Sequence, residues 1–190
     1  CLIPMKDNLW EYNFANGPDW DSAIFFVPYY TYKYTGNRDI VDLMWDNMCN
    51  SLKYFKSLSE GYLLNCGVGD WAPVGEPCEK QITDTTYYRK DALMMAEMAT
   101  ATGRDPEPFM ELAENIKQAF RKEYIKNGKF SVMHQTALSC AIYGEFLTDE
   151  EKQRAVSDLK KLLADNDYRF ILGVHGLVMI FDALSENGGI

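Results

Sequence analysis

Segments that are apolar on every side alternate along this chain with segments that are apolar on one side only, and this alternation restricts the fold more than any other feature. From Ser22 to Tyr34 the residues are apolar or aromatic nearly all round, as a helix buried on every side requires. Pro28 removes a backbone donor there and predicts a kink, and Gly36 supplies the stop. Residues 39–58 set Ile40, Met44, Met48, Leu52 and Phe55 on one stripe, with Asp42, Asp46, Lys53 and Lys56 elsewhere, which is the pattern of a helix lying on a surface. Ser59 to Thr83 is a Gly- and Pro-rich loop, too long for a simple connection between packed helices.

The pattern then repeats in kind. Thr85 to Thr102 is broadly apolar through Tyr88, Leu93, Met94, Met95, Ala96 and Met98, and ends at Gly103. Asp105 and Pro106 read as N-cap and first residue of a one-sided helix striped by Phe109, Leu112, Ala113, Ile116, Phe120 and Tyr124. Asn127-Gly128 is a turn, and Thr136 to Phe146 is small and apolar, weakened at its end by Gly144. Thr148 and Glu151 form a capping box opening a helix that buries Val156, Leu159, Leu162 and Leu163. Val174 to Leu184 is apolar almost all round, and Asn187-Gly188 terminates it.

A helix apolar on all sides needs neighbours on all sides, whereas a one-sided helix can lie outside. The order therefore predicts an all-α chain wound alternately between inner and outer layers, as in an α/α toroid. An α-solenoid alternates layers too, but the sequence shows no repeat of fixed period. An irregular helical bundle is the third reading.

Composition narrows the function classes. The chain has 190 residues and a formal net charge of -9, with its basic residues scattered or offset by acids, so nucleic-acid binding is disfavoured. No run approaches the roughly 18 apolar residues of a membrane span. Nor does the N-terminus, Cys1-Leu2-Ile3-Pro4, carry a basic region followed by an apolar one. Five cysteines without a C-x-x-C pair signal neither a disulfide framework nor a zinc site, and no cofactor is expected. Cys49 and Cys140 read as buried thiols, and Cys66 and Cys78 could pair only in an oxidising compartment.

If the broad helices form a ring, their N-terminal ends and the preceding loops open on one rim. That rim collects Asp19, Trp20 and Asp21, then Asp70, Trp71, Glu76, Glu79 and Asp84, then His134, Gln135 and His175. Indole faces stack on the C–H face of a pyranose while carboxylates and amides grip its hydroxyls, so the set suits an uncharged sugar. Bland readings stand beside this one. Asp21 and Asp84 also fit plain helix caps, Trp20 and Trp71 core aromatics, and His175 and His134 satisfied structural histidines; Glu76 and Glu79 read as solvated. The two histidines are too far apart for a metal-ligand motif. Paired carboxylates do acid and base work in glycosidases, but spacing in sequence singles out no pair here.

At these same loops the chain resembles the catalytic (α/α)6 domain of bacterial α-L-rhamnosidases, glycoside hydrolase family 78. The matching stretches are Asp19-Trp20-Asp21-Ser22-Ala23, Val27-Pro28-Tyr29, Tyr32 to Asn37, Gly69-Asp70-Trp71, Gln135-Thr136-Ala137, Gly173-Val174-His175-Gly176 and Ala183 to Gly188, in the family's order. The resemblance implies an incomplete (α/α)6, six-hairpin toroid over residues 1–190, truncated at both ends. It implies a pocket in which Trp20 and Trp71 contact rhamnose, and hydrolysis with inversion by a metal-independent acid and base. The family's acid-rich D-C-P-x-R-E-R-L-G-W-x-G-D stretch precedes the region matching Cys1, and its T-x-W-E glutamate follows the region matching Ile190. No catalytic residue is therefore carried over.

The expected substrate contacts are Trp20, Asp21, Asp70, Trp71, Asp84, Gln135 and His175, in a soluble protein of the bacterial cytoplasm or periplasm that binds a rhamnosyl glycoside. An open part-ring would expose the apolar faces of Ser22–Tyr34 and Val174–Leu184 and self-associate. A non-catalytic carbohydrate-binding protein or helical scaffold is the alternative.

Overall fold

The computed structural model describes residues 17–185, so Cys1 and the expected stop at Asn187-Gly188 lie outside the described residues. The helices are α1 (Pro18–Asp21), α2 (Ala23–Thr35), α3 (Asp39–Leu58), α4 (Lys80–Ala101), α5 (Glu107–Tyr124), α6 (Gln135–Tyr143), α7 (Asp149–Asp165) and α8 (Val174–Ser185). A small antiparallel hairpin, β1 (Ile125–Lys126) and β2 (Lys129–Phe130), interrupts the helical order. Its two-residue turn places Asn127 at φ 52 and Gly128 at φ 70, both left-handed, as the primed turn of a tight hairpin demands.

The broad helices form the inner layer. α4 packs against both α2 and α6, and α6 pairs with α8; α3 lies on α2 and α4, α5 on α4, and α7 on α6. α4 is the hub, burying Ile82, Tyr88, Met95 and Met98 completely. The outer helices bury one stripe each, Val41, Met48, Leu52 and Phe55 on α3, and Leu112, Ala113, Ile116, Phe120 and Tyr124 on α5. The Thr148–Glu151 capping box forms as read, with Glu151 also gripping Arg121 at 2.6 Å.

The starts of α4 and α5 differ from the sequence reading. α4 begins at Lys80, ahead of Thr85, with the polar run Thr83 to Thr86 buried within the helix. Thr86 Oγ1 donates to the Ile82 carbonyl at 2.7 Å, and Thr85 Oγ1 accepts the Leu64 amide at 3.0 Å. α5 begins one residue past Pro106, with Asp105 still accepting the Glu107 amide at 3.0 Å. α2 runs unbroken through Pro28 to Gly36, whose φ of 71 caps it.

α2 and α8 are not buried on every side. Val27 is 61% exposed, Tyr34 83% and Val178 60%, because among the described residues no further inner helix covers these faces.

Candidate functional site

The N-terminal ends of the inner helices meet on one rim. Asp70 is the tie between them. Its Oδ2 accepts Thr136 Oγ1 at 2.6 Å and the Gly173 amide at 2.8 Å, while Oδ1 accepts the Gly176 amide at 2.8 Å. One buried carboxylate thus joins the long loop to the starts of α6 and α8, and its charge sits at the positive end of α8. Gly173 and Gly176 are glycines for a steric reason, since a Cβ on either would come within 2.7 Å of the Asp70 carboxyl. The next residue, Trp71, accepts the Val174 amide on its carbonyl at 2.9 Å and leaves its side chain 42% exposed.

Beside this tie lies a cleft of about 280 Å3 lined by Asp19, Trp20, Ser22, Tyr87, Tyr143 and His175 over an apolar floor that includes Phe26 and Met179. Trp20 is 44% exposed and packs edge-on against His175, ring centres 5.0 Å apart. Tyr87 Oη is 2.8 Å from His175 Nδ1. Burial holds the imidazole below its ordinary value, although the charge of Asp70 opposes that, so the ring is neutral at pH 7. His175 Nε2 is buried and has no hydrogen-bond partner in the protein. The cleft therefore offers a broad aromatic face, an apolar floor and the side of a neutral imidazole.

The remaining candidates serve differently. Asp84 is no cap; it lies inside α4 and accepts the Cys66 and Gly67 amides at 2.8 and 2.7 Å. Burial pushes its carboxyl up to about 6. Gln135 is fully buried, donating to the Arg169 carbonyl and accepting the Ile171 amide, both at 3.1 Å. Asp21 is half-buried, with one carboxyl oxygen buried and unpartnered, and burial raises its value. His134 caps α6 through Nδ1, which accepts the Thr136 amide at 3.1 Å, and its Nε2 meets the Glu76 carbonyl at 2.9 Å. Glu76 and Glu79 are exposed.

The structure brings Trp20 and His175 together in the cleft, while Asp70, Asp84 and Gln135 turn to the backbone of neighbouring loops. Trp71 shares the rim but does not line the cleft. Ser22, Tyr87, Tyr143 and Asp91 do not stand out in the sequence as site residues. Asp84, Tyr87 and Asp91 are spaced three and seven apart, one helical face, and that spacing was the available signal. Ser22 Oγ donates to the fully buried Asp91 at 2.6 Å, anchoring the start of α2 on α4. Among the described residues no His, Cys, Asp and Glu cluster could hold a metal, and no helix is long and apolar enough to cross a membrane. Cys49, Cys66, Cys78 and Cys140 are free thiols.

Comparison with known proteins gives this rim a context. Over 179 residues the chain is 27% identical to an alpha-L-rhamnosidase of Streptomyces avermitilis, covering 93% of this chain and 17% of that protein. An alpha-L-rhamnosidase of Formosa agariphila is 22% identical over 183 residues, 90% of this chain and 20% of its own length. The crystal structure of the Streptomyces avermitilis alpha-L-rhamnosidase complexed with L-rhamnose superposes with a TM-score of 0.85 at 26% identity, covering 90% of this chain and 17% of that one. The alpha-L-rhamnosidase from Dictyoglumus thermophilum also gives 0.85, at 23% identity, covering 93% of this chain and 21% of its own; this shows the shared fold. The chain spans about a fifth of the length of these relatives. With residues 2–189 matching the bacterial alpha-L-rhamnosidase 6 hairpin glycosidase domain, the chain belongs to that family and forms part of its helical toroid.

Proposed function

We propose that this chain is the sugar-recognition part of a glycoside hydrolase that removes terminal α-L-rhamnose by inverting acid and base hydrolysis. The observation that carries the reading is the half-exposed indole of Trp20 set edge-on against the imidazole of His175 in an apolar-floored cleft. A pyranose binds through one apolar face and a rim of hydroxyls, and the cleft supplies a surface for each. The apolar floor suits a deoxy sugar, whose methyl group replaces a hydroxyl. The Streptomyces avermitilis relative, solved with L-rhamnose, supports the choice of sugar.

In this reading Trp20 stacks and His175 contacts a hydroxyl, and Trp71 and Asp21 extend recognition along the rim. Asp70, Asp84 and Gln135 act by holding the loops that carry them. No residue of this chain is assigned as the acid or the base, so the 190 residues alone bind without turning over.

L-Rhamnose titration followed by tryptophan fluorescence tests the reading. A saturable change is expected, weakened about tenfold by Trp20→Ala, as the loss of one stacking surface worth about 1.4 kcal/mol requires. An equal response to L-rhamnose and D-glucose, or none to either, would overturn it. The purified chain is expected to leave an aryl α-L-rhamnoside intact; clear hydrolysis by the monomer would overturn that expectation.

A further inference from the structure

Two buried carboxyls meet where two glycines cross. Gly17, at φ 80, lies so close to Gly67 that a Cβ on it would strike the Gly67 backbone. A Cβ on Gly67 would in turn lie 2.5 Å from Asp19 Oδ1 and 2.7 Å from Asp84 Oδ1, so these two oxygens flank one point over the loop. The other oxygens hold the loop itself. Asp19 Oδ2 accepts the Val68 amide at 3.0 Å, and Asp84 Oδ2 accepts the amides of Cys66 and Gly67. Asp19 is 5% exposed and Asp84 0%, and both Oδ1 atoms are buried without a hydrogen-bond partner.

Two ionised carboxylates cannot face each other in so dry a place without a large cost. Burial first, and then the charge of Asp84, push Asp19 up to about 7, while burial pushes Asp84 up to about 6. The surrounding titratable groups are Asp21 on α1, Cys66 on the loop, Lys80, Tyr87 and Asp91 on α4, Cys140 on α6 and His175 on α8. Lys80 favours ionisation of Asp84, but the Cys66 thiol is itself pushed up to about 12, and Tyr87, Cys140 and His175 are neutral at pH 7.

We propose that Asp19 and Asp84 are positioning residues, a carboxyl pair that holds one proton across the Gly17–Gly67 crossing and so presents Trp20 and the Asp70–Trp71 loop in one arrangement. The proton supplies a donor where two acceptors otherwise stand unsatisfied. Asp19 is bonded in sequence to Trp20, and Gly67 and Val68 lead directly into Gly69, Asp70 and Trp71, so release of the pair moves both indoles. The purpose of the pair rests on the sugar-recognition reading; its geometry does not. Because both folded values lie above the unfolded carboxyl value, the stability that the pair contributes is greatest below about pH 4 and is lost as pH rises through 6 to 7, the shared proton being the last to leave.

The test is a pH titration of the 190-residue chain without sugar, following the carboxyl carbons of labelled aspartates, the amides of Cys66, Gly67 and Val68, and the indole N–H groups of Trp20 and Trp71. Asp19 is expected to titrate near 7, with the loop amides and both indoles moving at the same midpoint. In Asp84→Asn, whose amide takes the place of the proton, Asp19 should titrate at markedly lower pH and the indole movement should vanish. Thermal melts give a second reading. Wild-type Tm should fall between pH 5 and 8, each single Asn variant should resist that fall, and the double Asn variant, with two amide N–H groups opposed, should melt below both. An ordinary Asp19 titration, one indifferent to Asp84→Asn, or indoles that ignore it would overturn the proposal. L-Rhamnose binding absent at every pH, with the coupling intact, would remove the sugar reading alone.

Discussion

Tyr87 Oη stands 2.8 Å from His175 Nδ1, and this contact decides what the imidazole offers the cleft. Burial first drives the Tyr87 phenol far above its ordinary value, so it keeps its proton. Donating that proton to Nδ1 leaves the ring hydrogen on Nε2. Tyr87→Phe removes the lock and strands Nδ1 in a buried place. Nitrogen-resolved imidazole spectra should show a single Nε2–H form in the wild type and a mixture in the variant, with a stability loss of about 1 to 3 kcal/mol in urea. A variant that keeps the single form would show that something other than Tyr87 sets it.

Asp70 carries more of the rim's stability than its neighbours. It accepts three hydrogen bonds from residues far away in sequence, and every one of those donors would be left unpaired in Asp70→Ala. Stranded buried donors cost about 1 kcal/mol or more each, so a loss of about 3 kcal/mol is expected in urea unfolding. Thr136→Val removes one donor of the three and should cost about 1 kcal/mol. Equal losses from the two variants would mean that the Gly173 and Gly176 bonds contribute nothing.

Asp91 makes a prediction about pH. Burial pushes its carboxyl well above the usual range, opposed only in part by the Ser22 hydroxyl bond. A raised folded value means that stability is greatest below the unfolded value near 4 and is lost as pH rises through the folded one. Asp91→Asn keeps an acceptor for Ser22 and removes the titration. Thermal melts across pH 5 to 9 should therefore fall less steeply for the variant than for the wild type, while Asp91→Ala, lacking the acceptor, should be less stable at every pH.

The layers were legible in the sequence because burial on all sides and burial on one side leave different periodicities. Phe109 to Tyr124 and the Thr148–Glu151 cap show it directly, each forming within a residue of its reading. The start of α4 was hidden, since Thr83 to Thr86 are polar residues and the partners of Asp84 and Thr85 in the Leu64–Gly67 loop lie far off in sequence, where local pattern cannot show them. The same holds for the rim. Trp20 and His175 stand out by residue type, but Tyr87 looks like one more core aromatic until the fold sets it against His175. Asp19 and Asp84 likewise become a pair only through the Gly17–Gly67 crossing.

The exposed faces of α2 and α8 yield the last prediction. Val27, Tyr30 and Tyr34 on one helix, and Leu177, Val178 and Phe181 on the other, are each more than a third exposed, more apolar surface than a monomer leaves open without consequence. Neighbouring inner helices would cover these faces in a complete toroid. In the 190-residue chain by itself a second copy is the available cover, so sedimentation should show concentration-dependent self-association. Leu177→Lys with Phe181→Lys places two charges in the α8 face without touching Asp70, Tyr87 or Trp20. That variant should sediment as a monomer and retain the L-rhamnose response, because neither Leu177 nor Phe181 lines the cleft. A wild-type chain that stays monomeric across the same concentrations would show that these faces are tolerated in water, and the association would have to be abandoned.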